Sequence, residues 1–224
     1  GIQSFDEEEL KFLTRIHDKQ TAIQTVYSAA EVGFENISVD LIFNLPKQTE
    51  EKWINNLETV IQLPIKHLSA YSLILERGTI LNKMVLDNKV KMQDDDYDAD
   101  LYETTIAFLI SKGFYQYEVS NFTKPGFECV HNNAYWRYRD YLSFGTSAHS
   151  FVDGKRWWNY SSLKKYISEI ELNNHAIMNS EIISKDLMHD EYVMLALRSS
   201  GLDLDDYRKR FSDDWIKKNH SYFK

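Results

Sequence analysis

The feature that most constrains this chain is an alternation, over about its first 120 residues, between short apolar runs and longer amphipathic ones. Ile37–Phe43 reads Ile-Ser-Val-Asp-Leu-Ile-Phe, too short for a helix core and rich in residues that suit a buried strand. It breaks at Asn44-Leu45-Pro46, where proline supplies no ladder donor. Thr49 then offers an N-cap, and Glu50 and Glu51 complement the dipole of the first turn. Trp53, Leu57, Val60 and Ile61 share one face of the helix that follows. His67–Leu75 predicts a further strand, Asp94–Lys112 a helix that stops at Gly113, and Tyr115–Phe122 a fourth strand. Upstream, Gly1–Phe5 reads as a strand already under way, and Ile23, Val26, Tyr27 and Ala30 form a helical stripe closed by Gly33.

Strand and helix in alternation imply βαβ units, hence an α/β fold that is either a doubly wound sheet or a βα barrel. No GxGxxG follows a strand, so a dinucleotide-binding sheet has no support. Gln3, Asp40, Glu76, Glu118 and Asn121 lie in or just beyond the apolar strands, and barrels build their sites at strand ends, which favours the barrel. After Phe122 the pattern changes. Residues 123–160 are rich in aromatics, Gly and Asn, whereas 161–224 are charged and helical, with amphipathic segments at Ser161–Leu172 and Lys185–Arg198. The expected division is a barrel portion at 1–160 and a small, mainly helical domain at 161–224. The chain ends on Ser221-Tyr222-Phe223-Lys224 in what reads as a helix, so both ends look cut.

Lys and Arg total 26 against 34 Asp and Glu, a net charge of -8, and no face-sized basic stripe appears. No nucleic-acid partner is expected from that balance. No apolar run reaches the length of a membrane span and no signal peptide opens the chain. The single cysteine, Cys129, rules out a disulfide framework and suits a reducing cytoplasm. Cys129, His131 and His149 supply at most half of a tetrahedral zinc site. A haem iron is different, because one His suffices as axial ligand. Tyr135, Trp136, Tyr138, Tyr141, Trp157 and Trp158 then offer either a stacking surface for a macrocycle or a plug for the barrel mouth.

Asp40 stands between Val39 and Leu41, and a buried unpaired carboxylate costs several kcal/mol. It is therefore either a ligand-binding acid or a structural one, bonded to a backbone N–H or to Arg15. Gln3 in a strand is ordinarily structural, and Arg15 in an acid-rich stretch ordinarily a surface ion pair. Gly145–Ser150 is a small-residue run that allows close backbone approach to a ligand or makes a tight turn.

Taken together, the segments resemble the oxygen-independent coproporphyrinogen III oxidase-like family of radical S-adenosylmethionine (SAM) proteins, closest to its HemW-type haem chaperone branch. The matching text is Gly1-Ile-Gln-Ser-Phe5, Arg15-Ile-His17, Gly33-Phe34, Val39-Asp-Leu-Ile42, Leu45-Pro46 with Gln48-Thr49, Leu68-Ser-Ala-Tyr-Ser-Leu73 and Gly78-Thr79. It continues with Tyr117-Glu-Val-Ser-Asn-Phe122, Pro125-Gly-Phe-Glu-Cys-Val-His-Asn-Asn-Ala-Tyr-Trp136, Asp140-Tyr-Leu142, Ala148-His-Ser150 and Arg156-Trp-Trp-Asn159. The resemblance implies the C-terminal part of a partial (β/α) radical SAM barrel, followed by a helical domain. It implies SAM contacts at Gln3, Arg15 and Asp40, with Ile74 and His149 at further positions. It links His131-Asn132-x-x-Tyr135-Trp136 with haem handling. A CxxxCxxC loop that holds the family's 4Fe-4S cluster is absent from this sequence, so the isolated chain is expected to assemble no cluster and to be inactive. The sequence departs from the family at Asn44-Leu-Pro-Lys47, where Gly-Leu-Pro-Gly is common, at Arg77 in place of Pro, and at Thr146-Ser147 in place of Pro-Gly.

The expected function is a haem chaperone that binds haem, SAM and the cluster in the full-length protein and delivers haem to acceptor proteins, with any membrane association arising through acceptors only. The alternative is SAM-radical oxidative decarboxylation of coproporphyrinogen III, and a third reading is a barrel hydrolase or isomerase using Asp40 and Glu118.

Overall fold

In the computed structural model, which describes residues 1–212, 214–219 and 221, the helices of the first half each begin on a side chain that accepts from their own first turn. Asp6 caps α1 (Glu7–Phe12) and Asp18 caps α2 (Lys19–Glu31). After β1 (Ser38–Phe43), Thr49 caps α3 (Glu50–Ile61), as its position before two glutamates predicts. Beyond β2 (His67–Ser72), Thr79 caps α4 (Ile80–Leu86) and Asp94 caps α5 (Asp95–Ser111). Each such cap is worth about 1 kcal/mol. Gly33 and Gly113, with φ of 98° and 80°, close α2 and α5 in the same way. The next residue's N–H reaches back to Ala29 in one case and Leu109 in the other, a bond that the left-handed glycine makes possible.

The short strands β3 (Tyr115–Glu118) and β4 (Asn121–Thr123) complete a four-stranded sheet in the order β1-β2-β4-β3. β1 and β2 are parallel and joined through α3, the expected βαβ unit. The single strand expected at Tyr115–Phe122 is instead a hairpin, turning at Val119-Ser120 between the paired Glu118 and Asn121, with β4 antiparallel to β2. The expected strand at Gly1–Phe5 reduces to one parallel bridge, Gln3 to Leu41. Gln3 has φ of 76°, which takes the chain out of strand geometry, and Asp6 starts α1 three residues later.

Val39, Leu41 and Phe43 of β1, with Leu68, Ala70 and Phe122, form the sheet side of the core. Trp53, Leu57 and Val60 of α3 pack there as the periodicity predicts, with Leu101 and Leu109 of α5. On α2 the buried pair is Ala22 and Val26, while Tyr27 is 41% exposed, so the apolar stripe is rotated from the predicted one.

The chain divides into two compact units, Gly1–Glu128 and Cys129–Lys224. The second contains α6 (Val130–Trp136), β5 (His149–Val152), β6 (Lys155–Asn159), α7 (Leu163–Asn173), β7 (Ile177–Ile182), α8 (Lys185–Leu197), α9 (Leu204–Arg210) and α10 (Asp214–Lys218). Its strands form an antiparallel sheet in the order β5-β6-β7. The aromatic segment before residue 160 belongs to this unit because Tyr138 and Phe151 share one buried cluster with Tyr192 of α8 and Tyr207 of α9. The stretch after 160 carries a strand as well as helices. The predicted terminal helix over Tyr222–Lys224 lies outside the described residues.

An ionic ladder braces the unit. Arg156 spans Glu181 at 3.1 Å and Glu191 at 2.6 Å, and the Tyr138 hydroxyl donates to Glu191 at 2.6 Å. Burial and the neighbouring Asp206 carboxylate push the Tyr192 phenol up to about 12. Among the described residues no helix is long and apolar enough to cross a membrane.

Candidate functional site

Side chains alternate across a strand, so the residues between the core positions of β1 and β2 share the opposite face of the sheet. The register places Asp40 beside Ser69, Ser69 beside Asn121, and Asn121 beside Glu118. A polar row thus crosses all four strands. Asp40 is its open end, with a side chain 42% exposed. The alternation corrects the expectation of a buried acid: Val39 and Leu41 enter the core and Asp40 faces away from it. Glu118 is the buried carboxylate of the row, and it accepts from the Asn121 amide.

Next to this row, the His67 ring joins Ser38 Oγ at Nδ1 and the Tyr117 hydroxyl at Nε2, both at 2.8 Å. Burial holds the His67 pKa below its ordinary value, and the Asp40 charge offsets this only in part. The unfolded chain takes up a proton near pH 6.5 that the folded one resists, so this stabilisation is present above about pH 6.5 and is lost as pH falls through the lowered folded value. Thermal melts of the chain should therefore drop in midpoint on acidification below about pH 6.5, and His67→Gln should flatten that dependence. An unchanged pH profile in the variant would refute the assignment.

The structure brings two of the SAM-expected residues together. The Gln3 N–H donates to the Asp40 carbonyl at 2.7 Å, and the Ile42 N–H donates to the Gln3 carbonyl at 2.8 Å. Arg15 lies in the exposed connection between α1 and α2; its guanidinium pairs with neither Asp40 nor another acid among the described residues. Ile74 is exposed just past β2. His149 belongs to the second unit, on β5, stacked on Trp158 with centroids 5.6 Å apart. An exposed carboxylate beside an amide side chain suits a ligand that presents hydroxyl or amino donors.

Sequence reasoning missed a buried network built on Glu9. Asp6 and Glu9 have the spacing of a capping box, which predicts that Glu9 reaches back to the cap. Its carboxylate instead accepts from Ser4 Oγ at 2.5 Å, Asn56 Nδ2 at 3.0 Å and Gln48 Nε2 at 3.0 Å. Asn56 Oδ1 accepts from the Phe5 N–H at 2.6 Å. Three neutral donors on one buried carboxylate join the segment before α1, the turn after β1 and α3.

In the second unit, α6 carries His131, Asn132, Tyr135 and Trp136. Its N-cap residue, Cys129, makes no side-chain cap bond. His131 is exposed, and neither ring nitrogen has a hydrogen-bond partner among the described residues. Its ring meets Tyr135 edge-on at 4.8 Å, and Tyr135 meets Tyr141 at 4.6 Å. Trp136 lies beneath the Arg198 guanidinium, 5.9 Å from its ring centre. An exposed imidazole with both nitrogens uncommitted, at the end of an aromatic ladder, fits a haem iron. The residues do not fit a 4Fe-4S cluster: such clusters take several thiolates, the chain has one cysteine, and no metal-holding group of three His, Cys, Asp or Glu occurs among the described residues.

No protein-family model matches the chain. Over 216 residues it is 32% identical to the "Heme chaperone HemW" of Bacillus subtilis (strain 168), a match covering 96% of this chain and 56% of that protein. It is 38% identical over 158 residues to the "Heme chaperone HemW" of Escherichia coli (strain K12), covering 69% and 41% respectively. Among solved structures, the coproporphyrinogen III oxidase (HemN) of Escherichia coli, described as a radical SAM enzyme, aligns with a TM-score of 0.78 at 22% identity, over 99% of this chain and 54% of that one. The chain spans about half the length of the curated relatives it matches. The mixed α/β fold is that of part of a radical SAM barrel with the unit that follows it. With a polar strand face in one unit, an uncommitted His on α6 in the other, and this run of relatives, the chain belongs to the HemW/HemN-like radical SAM family.

Proposed function

We propose that the chain is part of a haem chaperone, a protein that binds haem through the α6 segment and delivers it to acceptor proteins. The observation that carries this reading is His131: exposed, with both ring nitrogens free of protein partners among the described residues, on a helix that begins one residue after the only cysteine. The names of the relatives support it. In the full-length protein, SAM and a 4Fe-4S cluster have a supporting role. Gln3, Arg15 and Asp40, with Ile74, contribute to the SAM site, and the cluster ligands come from outside this chain. His131 supplies the axial nitrogen, Tyr135 and Trp136 a stacking surface, and Asn132 a polar contact beside it.

The test is His131→Ala in the full-length protein, followed by absorbance titration with haem. The residue is exposed, so the fold should be unaffected. We expect at least about tenfold weaker binding, equivalent to about 1.4 kcal/mol, together with a shift of the haem spectrum that reports a changed axial ligand. Unchanged affinity and spectrum would remove the axial role.

A further inference from the structure

Within the second unit, α6 and α8 flank a pocket of about 260 Å³ that the His131 assignment does not account for; Tyr138, Arg156 and Glu191 of the ionic ladder, bonded to one another, form one side of it. Tyr135, Tyr141, Phe151, Met194 and Leu195 give it an apolar wall, and Arg139 also lines it. The cations nearby differ in what holds them. Arg156 is committed to Glu181 and Glu191, and Arg210 to Asp206. Arg139 is exposed and makes no ion pair among the described residues. An apolar wall beside one uncommitted guanidinium is complementary to an acid whose body is flat and apolar.

Size narrows the occupant. Sites that bury a whole drug-sized ligand run from about 300 to 1,000 Å³. The pocket is below that range, so it takes one edge of a larger planar ligand. Tyr135 is both a wall of this pocket and the ring against which His131 packs. The ligand that lies against His131 and the ligand that enters the pocket are therefore placed to be the same molecule.

We infer that this pocket receives one edge of the porphyrin and that Arg139 pairs with a propionate carboxylate. This rests on the haem reading above and deepens it, adding a recognition element for the macrocycle and its acid groups to the axial ligand. Guanidinium and carboxylate match in a two-pronged geometry that a lysine would not reproduce. The competing occupant, an apolar side chain of an acceptor protein, needs neither the macrocycle nor Arg139.

The experiment uses the full-length protein with Met194→Trp, which fills the pocket from a position already 49% exposed, and Arg139→Gln. Each is titrated by absorbance with haem and with the haem dimethyl ester, in which both propionates are blocked. Met194→Trp should weaken both ligands at least tenfold. Arg139→Gln should weaken haem about fivefold, the size of a partly exposed charge pair, and leave the ester unchanged. In both variants the spectrum of bound haem should keep the His131-ligated form. Wild-type affinity in Met194→Trp, or an equal loss of haem and ester in Arg139→Gln, would overturn the inference. The two levels fail differently. If His131→Ala leaves affinity and spectrum unchanged, the axial role of His131 falls; if His131→Ala loses binding but the pocket variants keep it, only the pocket assignment falls.

Discussion

Trp53→Ala should lower the unfolding free energy of the first unit by about 3–5 kcal/mol, the cost of truncating a large buried aromatic. Trp53 has no exposed surface and packs against Phe43 with ring centres 5.3 Å apart. Its indole N–H donates to Thr105 Oγ1 at 2.8 Å, and that hydroxyl donates onward to the Leu101 carbonyl at 2.6 Å. The substitution therefore opens a cavity and also takes away the donor that reaches Thr105. Trp53→Phe separates the two effects, since it restores much of the volume but not the N–H; it should cost clearly less. Urea unfolding followed by far-ultraviolet circular dichroism gives both numbers. A loss below about 1 kcal/mol for the alanine variant would mean that the site collapses around the gap, contrary to the tight packing argued for α3.

The second large effect should come from Asn56→Ala, at about 2–4 kcal/mol, because bonds to charged groups are worth about 1.5–3 kcal/mol and an orphaned buried donor adds its own penalty. The amide serves Glu9 and the Phe5 N–H at once, and all three residues are buried. Asn56→Asp preserves the shape and is the sharper probe. It sets a second carboxylate against Glu9, so it should cost at least as much at neutral pH and recover part of the loss in acid, where one of the two takes a proton. An Asn56→Asp protein as stable as the parent would show that Glu9 does not depend on this donor.

Much of the first unit was legible because its signals are local. Thr49 before two glutamates, the 53-57-60 stripe and the glycines after α2 and α5 each specify an element without help from distant residues. What was not legible depends on long-range pairing. Nothing within Tyr115–Phe122 says that Val119-Ser120 turns and brings β4 back against β2, since that choice is made by the partner strand. The boundary between units has the same cause: Tyr138 and Phe151 find their partners some 40 residues and more downstream, in Tyr192 and Tyr207. Asp40 stands out as a carboxylate in an apolar run, but that run conceals which face it takes. Glu9 lies in an acid-rich stretch, where nothing local marks one carboxylate as the buried one. The departures from the family pattern carry a backbone signature. Asn44 and Lys47, where glycine is common, take φ of 61° and 66°, and Ser147 takes 58°. These left-handed conformations cost a non-glycine residue about 1–2 kcal/mol each.

The turn after β1 is fastened from both ends by Gln48. Its side chain donates to Glu9, and its carbonyl accepts from Gln93 and from the Tyr97 hydroxyl, each at 3.0 Å. Segments held by several buried bonds to different helices open only with the surrounding structure, so their amides exchange slowly and together. The stretch behind Asp40 is accordingly a fixed jamb and not a swinging door.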